Sequence, residues 1–150
     1  MRILRAKTYF FDCRFLGTEP EPRPGLSSGH IPHSFSLPFT AFLQTHTIPN
    51  SSLQYTTFLP VPELQNVLVN HLGDQADAVI QGERPITTTC GSGMTAGVLW
   101  LGLKLLGARK VALYDEVSHA THLVSPITNF GQSWTGYASR TSSKIEKVTN

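Results

Sequence analysis

Cysteine is scarce in this sequence: among 150 residues only Cys13 and Cys90 are cysteines. They stand in unlike contexts, which excludes a disulfide framework of the kind that staples small secreted domains and points to a reducing compartment. Charge is sparse too. Asp, Glu, Lys and Arg make up 15% of the chain, the formal net charge is +2, and the basic residues gather into no run with interleaved aromatics. Nucleic acid is therefore not an expected partner, whereas small anions are. Long apolar runs are also missing: the most apolar stretch, Ala96 to Leu106, is interrupted by Lys104 and is too short to span a bilayer. A soluble protein with no membrane partner is expected, and neither an internal repeat nor a low-complexity tail is evident.

What is present is a globular composition. Apolar residues reach 40%, and a chain of this length fits one domain able to bury about 70% of its unfolded surface. Met1 to Lys7 carries Arg2, Arg5 and Lys7 with no acid before Asp12, a weak likeness to a transit sequence. Tyr9-Phe10-Phe11 stopped by Asp12 reads as a short buried strand leading into a loop. Between Gly17 and Pro38 the prolines and glycines are too dense for a helix or a central strand, so a long loop is expected there.

Beyond Pro60 and Pro62, the residues Leu64, Val67, Leu68, His71 and Leu72 recur at helical spacing and Gly73 supplies a stop. Arg84-Pro85 opens Ile86-Thr87-Thr88-Thr89, a β-branched run that predicts a strand delivering Cys90 at its C-terminal end. Thr95 to Leu106 carries apolar residues on nearly every face and Gly107 after it, which predicts a largely buried helix. Lys110 to Tyr114 predicts one more strand. Strand, loop, helix and strand in that order imply a right-handed crossover, and hence an α/β fold with an open parallel sheet flanked by helices on both faces. In such sheets ligands sit at the C-terminal strand ends.

Cys90 would thus stand between a strand and a helix N-terminus, where oriented amides create positive potential at the sulfur and favour a thiolate. Gly91 and Gly93 permit backbone conformations closed to other residues, letting successive N–H groups turn towards one sulfur or anion. A buried structural cysteine is the plain alternative. Two other nucleophile chemistries fit poorly: a cysteine phosphatase needs an arginine in its loop to hold phosphate, and Gly91 to Gly97 contains none. A disulfide oxidoreductase would want a second cysteine where Gly93 stands.

Cys90-Gly91-Ser92-Gly93-Met94-Thr95-Ala96 resembles the active-site loop of mercaptopyruvate sulfurtransferases of the rhodanese superfamily. Upstream, Phe15-Leu16-Gly17-Thr18-Glu19-Pro20-Glu21-Pro22-Arg23-Pro24-Gly25 and Ser28-Gly29-His30-Ile31-Pro32 resemble the family's substrate-side loop in the same order. The resemblance implies a rhodanese-like domain with a core over about residues 8–116 and 133–141. It implies transfer of a sulfane sulfur from 3-mercaptopyruvate or thiosulfate, through a persulfide on Cys90, to cyanide or to a thiol acceptor such as thioredoxin or a low-molecular-weight thiol. No metal or organic cofactor is implied.

The same resemblance places Arg14 and Arg23 at the donor's carboxylate, a task suited to a planar fork of N–H donors. Ser92 matches the serine that activates donor or thiol, and Gly91, Gly93, Met94 and Thr95 belong to the loop that receives the donor. Neutral residues after the cysteine favour mercaptopyruvate over the thiosulfate dianion. His30 is expected to order its loop rather than to react, and Cys13 to pack near the first strand's end. A cytoplasmic or mitochondrial location is expected.

The chain departs from the family in three ways. It matches one domain of a usually tandem pair, so Ser92 would lack partners the first domain supplies, and a non-catalytic or truncated module acting as a binding domain is the alternative reading. Residues are missing around Asp12-Cys13-Arg14, leaving one arginine where the family has two. Finally, Val117 to Gln132, without Asp, Glu, Lys or Arg, separates Tyr114-Asp115-Glu116 from Ser133-Trp134-Thr135, a run the family continues almost directly. We read this non-family insertion as a retained intron, with an ordinary insertion in a tolerant surface loop as the alternative: Val117-Ser118 can be encoded by GTGAGT, Thr128-Asn129 can contain CTAAC, and Gln132 can end in AG, in splice-signal order and in frame. Sequencing of the gene and its transcripts should find those signals, and deletion of residues 117–132 should leave a folded chain because loop length costs little entropy. Codons without the signals, or a deletion variant that does not fold, would refute it.

Overall fold

The computed structural model describes residues 2–7, 12–22, 24–91, 94–114, 137–138 and 141–147. In chain order the elements are β1 Arg2–Lys7, α1 Asp12–Leu16, β2 Ser34–Pro38, a 3-10 turn Phe39–Phe42, β3 Leu43–Thr47, β4 Gln54–Phe58, α2 Val61–Leu72, α3 Gln75–Ile80, β5 Ile86–Thr89, α4 Met94–Leu105 and β6 Val111–Tyr114. Four strands form one parallel sheet in the order β2-β1-β5-β6, and β3 and β4 make a separate antiparallel hairpin. The expected α/β class with a parallel sheet is what forms.

The β-branched residues of β5 sit where such side chains pack best, in a strand bonded on both sides, and all four are buried. The register sets Ile3 against Thr87 and Arg5 against Thr89 on one side, and Thr87 against Ala112 and Thr89 against Tyr114 on the other. The Thr88 hydroxyl is absorbed by the Ala112 carbonyl at 3.4 Å. α2 follows its periodicity closely. Leu64, Leu68 and Leu72, spaced four apart, are buried, and Gly73 ends the helix with a φ of 57° while its N–H donates to the Val69 carbonyl. At that φ a side chain would be strained, which is why glycine serves as the stop.

The structure departs from or adds to the expectations at three places. A strand not expected from the sequence lies at Arg2–Lys7, while the one expected at Tyr9 to Phe11 falls outside the described residues. The basic residues that suggested a transit segment therefore belong to β1, whose backbone pairs with β2 and with β5. Secondly, the Gly17 to Pro38 stretch ends in β2. An edge position tolerates this, because Pro38 is the last residue of a strand that pairs on one side only. Thirdly, α4 is half-covered rather than largely buried: Ala96, Leu99 and Leu103 are buried, while Leu101 and Leu105 keep 43% and 47% of their surface exposed. The helix packs against β1, β5, β6 and the 3-10 turn, so its outward-facing leucines have no layer above them among the described residues. The segment 117–132 lies outside the described residues.

The sequence reading did not foresee the β3–β4 hairpin or α3. The hairpin turn did carry a signal: Ile48-Pro49-Asn50-Ser51, closed by a hydrogen bond from Ser51 N–H to the Ile48 carbonyl with Asn50 at a φ of 60°. Pro followed by Asn at the two central positions suits a type II turn.

Close approach fixes α4 on the core. Gly102 lies against the Phe42 ring so tightly that an added Cβ would overlap it, and Phe42 is fully buried. Gly102→Leu should therefore lower the unfolding free energy by about 1–3 kcal/mol through overpacking. Phe42→Leu, which vacates part of the ring's volume, should soften that loss. Denaturant titration of the single and double variants measures the coupling, and strictly additive effects would contradict the contact.

Candidate active site at the end of β5

Because β1 and β5 are adjacent and parallel, the segments leaving their C-terminal ends emerge on the same edge of the sheet. Cys90 leaves β5 there, with 2% of its surface exposed, and the 12-residue helix α4 begins four positions later at Met94. Gly91 is half-buried beside it, Thr95 is half-buried in the first turn of α4, and Met94 is 84% exposed. Ser92 and Gly93 lie outside the described residues. A strand rigidly held in a sheet thus places a nearly enclosed thiol below the start of a helix, where unpaired backbone N–H groups point outward.

On the neighbouring strand, α1 follows β1 and carries Arg14, whose side chain is half-buried. Arg23, the second expected carboxylate ligand, lies outside the described residues. α1 is only five residues long, so it depends on tertiary bonds. The Arg14 carbonyl accepts from Gly17 N–H at 3.2 Å and from Gly29 N–H at 2.7 Å. The Cys13 carbonyl accepts from Thr18 N–H at 2.8 Å and from the Thr18 hydroxyl at 3.0 Å.

His30 joins the two loops. Its Nδ1–H donates to the Phe15 carbonyl at 2.7 Å, and its ring stacks on Phe15 with centroids 4.2 Å apart. These bonds match the expected ordering of its loop. Cys13 is an exposed cysteine of α1 rather than a packed one, and neither it nor Cys90 is in a disulfide. Among the described residues, no cluster of His, Cys, Asp and Glu could hold a metal ion, and no helix is long and apolar enough to cross a membrane.

The described residues hold an enclosed sulfur before a helix start and, in the short helix that follows the adjacent strand, the half-buried Arg14 side chain. Comparison with known proteins gives this a context. No family model matches the chain. A probable 3-mercaptopyruvate sulfurtransferase of Schizosaccharomyces pombe is 37% identical over 127 residues, covering 85% of this chain and 33% of the relative. Thiosulfate/3-mercaptopyruvate sulfurtransferase 1, mitochondrial, of Arabidopsis thaliana is 36% identical over 136 residues, with 91% and 27% covered. The human 3-mercaptopyruvate sulfurtransferase is 38% identical over 102 residues, with 68% and 29% covered.

Among solved structures, Tum1 protein from Saccharomyces cerevisiae superposes with a TM-score of 0.53 at 28% identity, over 77% of this chain and 34% of that one. SseA from Escherichia coli, described as a rhodanese-fold 3-mercaptopyruvate sulfotransferase, gives 0.52 at 25% identity, over 79% and 36%. The chain spans about a third of the length of the curated relatives it matches. Sequence likeness to these enzymes and superposition on their fold agree that the chain is a rhodanese-like domain resembling the catalytic domain of the 3-mercaptopyruvate sulfurtransferases.

Proposed function

We propose that this domain transfers sulfur through a persulfide on Cys90. The observation that carries the reading is the position of Cys90: a nearly enclosed thiol, in no disulfide, between a buried central strand and a helix start, in a domain whose relatives are named sulfurtransferases. In the first half-reaction the Cys90 sulfur attacks the sulfur of 3-mercaptopyruvate. The carbon–sulfur bond breaks, the enol of pyruvate departs and takes a proton at carbon, and the sulfur stays on Cys90. In the second, a thiol or cyanide attacks the outer sulfur, leaving as a persulfide or as thiocyanate and regenerating the Cys90 thiolate.

With thiosulfate as donor the same attack would expel sulfite. Neutral Gly91 and Ser92 offer that dianion little, so mercaptopyruvate is the better donor. Arg14 and Arg23 bind the donor carboxylate, Ser92 assists proton movement at the sulfur, and Gly91, Gly93, Met94 and Thr95 shape the loop around it. A small thiol or thioredoxin is the acceptor, in a reducing compartment, cytoplasmic or mitochondrial. The cycle needs neither metal nor organic cofactor.

Purified protein given 3-mercaptopyruvate and cyanide should release thiocyanate, and Cys90→Ser should release none, because no other group carries sulfur between the half-reactions. Mass spectrometry should find one added sulfur on Cys90; turnover surviving in Cys90→Ser, or a persulfide on Cys13, would remove the reading. Absence of turnover in the intact chain would favour the binding-module alternative.

Loss of a charge-assisted carboxylate contact costs about 1.5–3 kcal/mol, equivalent to roughly ten-fold to over a hundred-fold in affinity. Arg23→Ala should therefore raise the KM for mercaptopyruvate by that order while leaving the KM for cyanide nearly unchanged. Equal rises in both would count against a carboxylate role.

A further inference from the structure

Five residues of helix do not hold themselves in place, so what positions Arg14 must lie elsewhere in the fold. Following the bonds outward from α1 leads to the other end of the chain. The Arg14 and Phe15 carbonyls are bonded to Gly29 N–H and to the His30 imidazole. His30 is in turn paired by its main chain to Glu146: the His30 N–H donates to the Glu146 carbonyl at 2.9 Å, and the Glu146 N–H donates to the His30 carbonyl at 2.9 Å. This is an antiparallel bridge standing outside the sheet. The Glu146 carboxylate adds a contact, with Oε2 3.5 Å from His30 Nε2.

The fit around this bridge is close on both sides. A Cβ on Gly29 would lie 2.5 Å from the Glu146 carbonyl oxygen and 2.6 Å from Ile145 Cγ2, and one on Gly17 would lie 2.6 Å from Lys147 Cγ. Both glycines also hold positive φ, at 129° and 82°, so two positions flanking α1 exclude side chains by conformation and by the presence of the C-terminal segment. That segment is fastened within itself by the Tyr137 hydroxyl, which donates to the Lys144 carbonyl at 2.7 Å.

We propose that Lys144–Lys147 is a clamp for the donor site, with Glu146 as a positioning residue: its main-chain pairing with His30 fixes the loop that holds α1 and, with it, Arg14. The inference rests on the sulfurtransferase reading and adds to it a determinant of donor affinity that touches no reactant. Cys90 depends instead on β5 and α4, so the clamp governs donor binding and leaves the acceptor half-reaction alone.

The test replaces Glu146 by Pro, which removes the N–H donated to His30, by Gly, which loosens the backbone without removing that donor, and by Gln, which keeps the pairing. Steady-state kinetics with 3-mercaptopyruvate and cyanide should show the donor KM raised about ten-fold in Glu146→Pro and less in Glu146→Gly, as loss of one well-placed charge contact would give. The KM for cyanide should stay within about two-fold in every variant, and Glu146→Gln should behave as the parent chain. An unchanged donor KM in Glu146→Pro, or in Glu146→Gly where the proline variant has lost its circular dichroism, overturns the clamp. Loss of fold in both also overturns it, since the segment would then be core structure. A parent chain without turnover overturns the sulfurtransferase reading instead, which keeps the two failures distinct.

Discussion

Pairing of β5 on both sides is the constraint from which the rest of the structure follows. A strand bonded to β1 and β6 and buried along its length cannot shift register without moving every side chain to the opposite face, so its last residue is fixed in space. Cys90 is the next residue, and α4 must start within a few positions because its own packing against β1, β5, β6 and Phe42 leaves no slack. The placement of the thiol is thus a consequence of core packing.

That half of the molecule was legible in the sequence for the same reason. A β-branched run, an apolar helix and a second strand are strong local signals, and each falls where its element forms. α2 was equally readable, since Leu64, Leu68 and Leu72 bury one stripe and Gly73 supplies the only backbone that suits the stop. What misled was hydropathy taken as a guide to strands. β1 contains Arg2, Arg5 and Lys7 and takes a central place through backbone pairing, which no side-chain pattern reports. β2 hid among prolines because an edge strand needs only one row of hydrogen bonds. α4 looked apolar all round, yet the fold provides no cover for Leu101 and Leu105 among the described residues.

The candidate site divides along the same line. Cys90, Gly91 and Thr95 could be placed from local sequence, because strand and helix carry them. The role given to Arg14 came from resemblance; the structure adds how its backbone is held, by a carbonyl bonded to Gly29, a neighbouring carbonyl bonded to His30, and a bridge to Glu146 more than a hundred residues away. Contacts of such separation leave no periodicity to read. The glycines at 17 and 29 were visible as loop residues, but their reason, exclusion of side chains by the returning C-terminal segment, exists only in the folded chain.

Cys90 and Arg14 are therefore held by two mechanically different supports. The nucleophile end is held by a buried core, in which side chains are close-packed and displacement is resisted from all directions. The arginine end is held by a handful of hydrogen bonds between loops, one short helix and a terminal segment, several of them partly open to solvent, and such regions sit at the low end of local stability. Local opening at this end would move Arg14 while leaving the sulfur where it is. The positions of Arg14 and Cys90 should then respond independently to mutation, because the bonds that maintain one are not the bonds that maintain the other. The first support lies within the sheet and α4. The second is closed by residues 145–147, which pair with His30 and pack against Gly17 and Gly29.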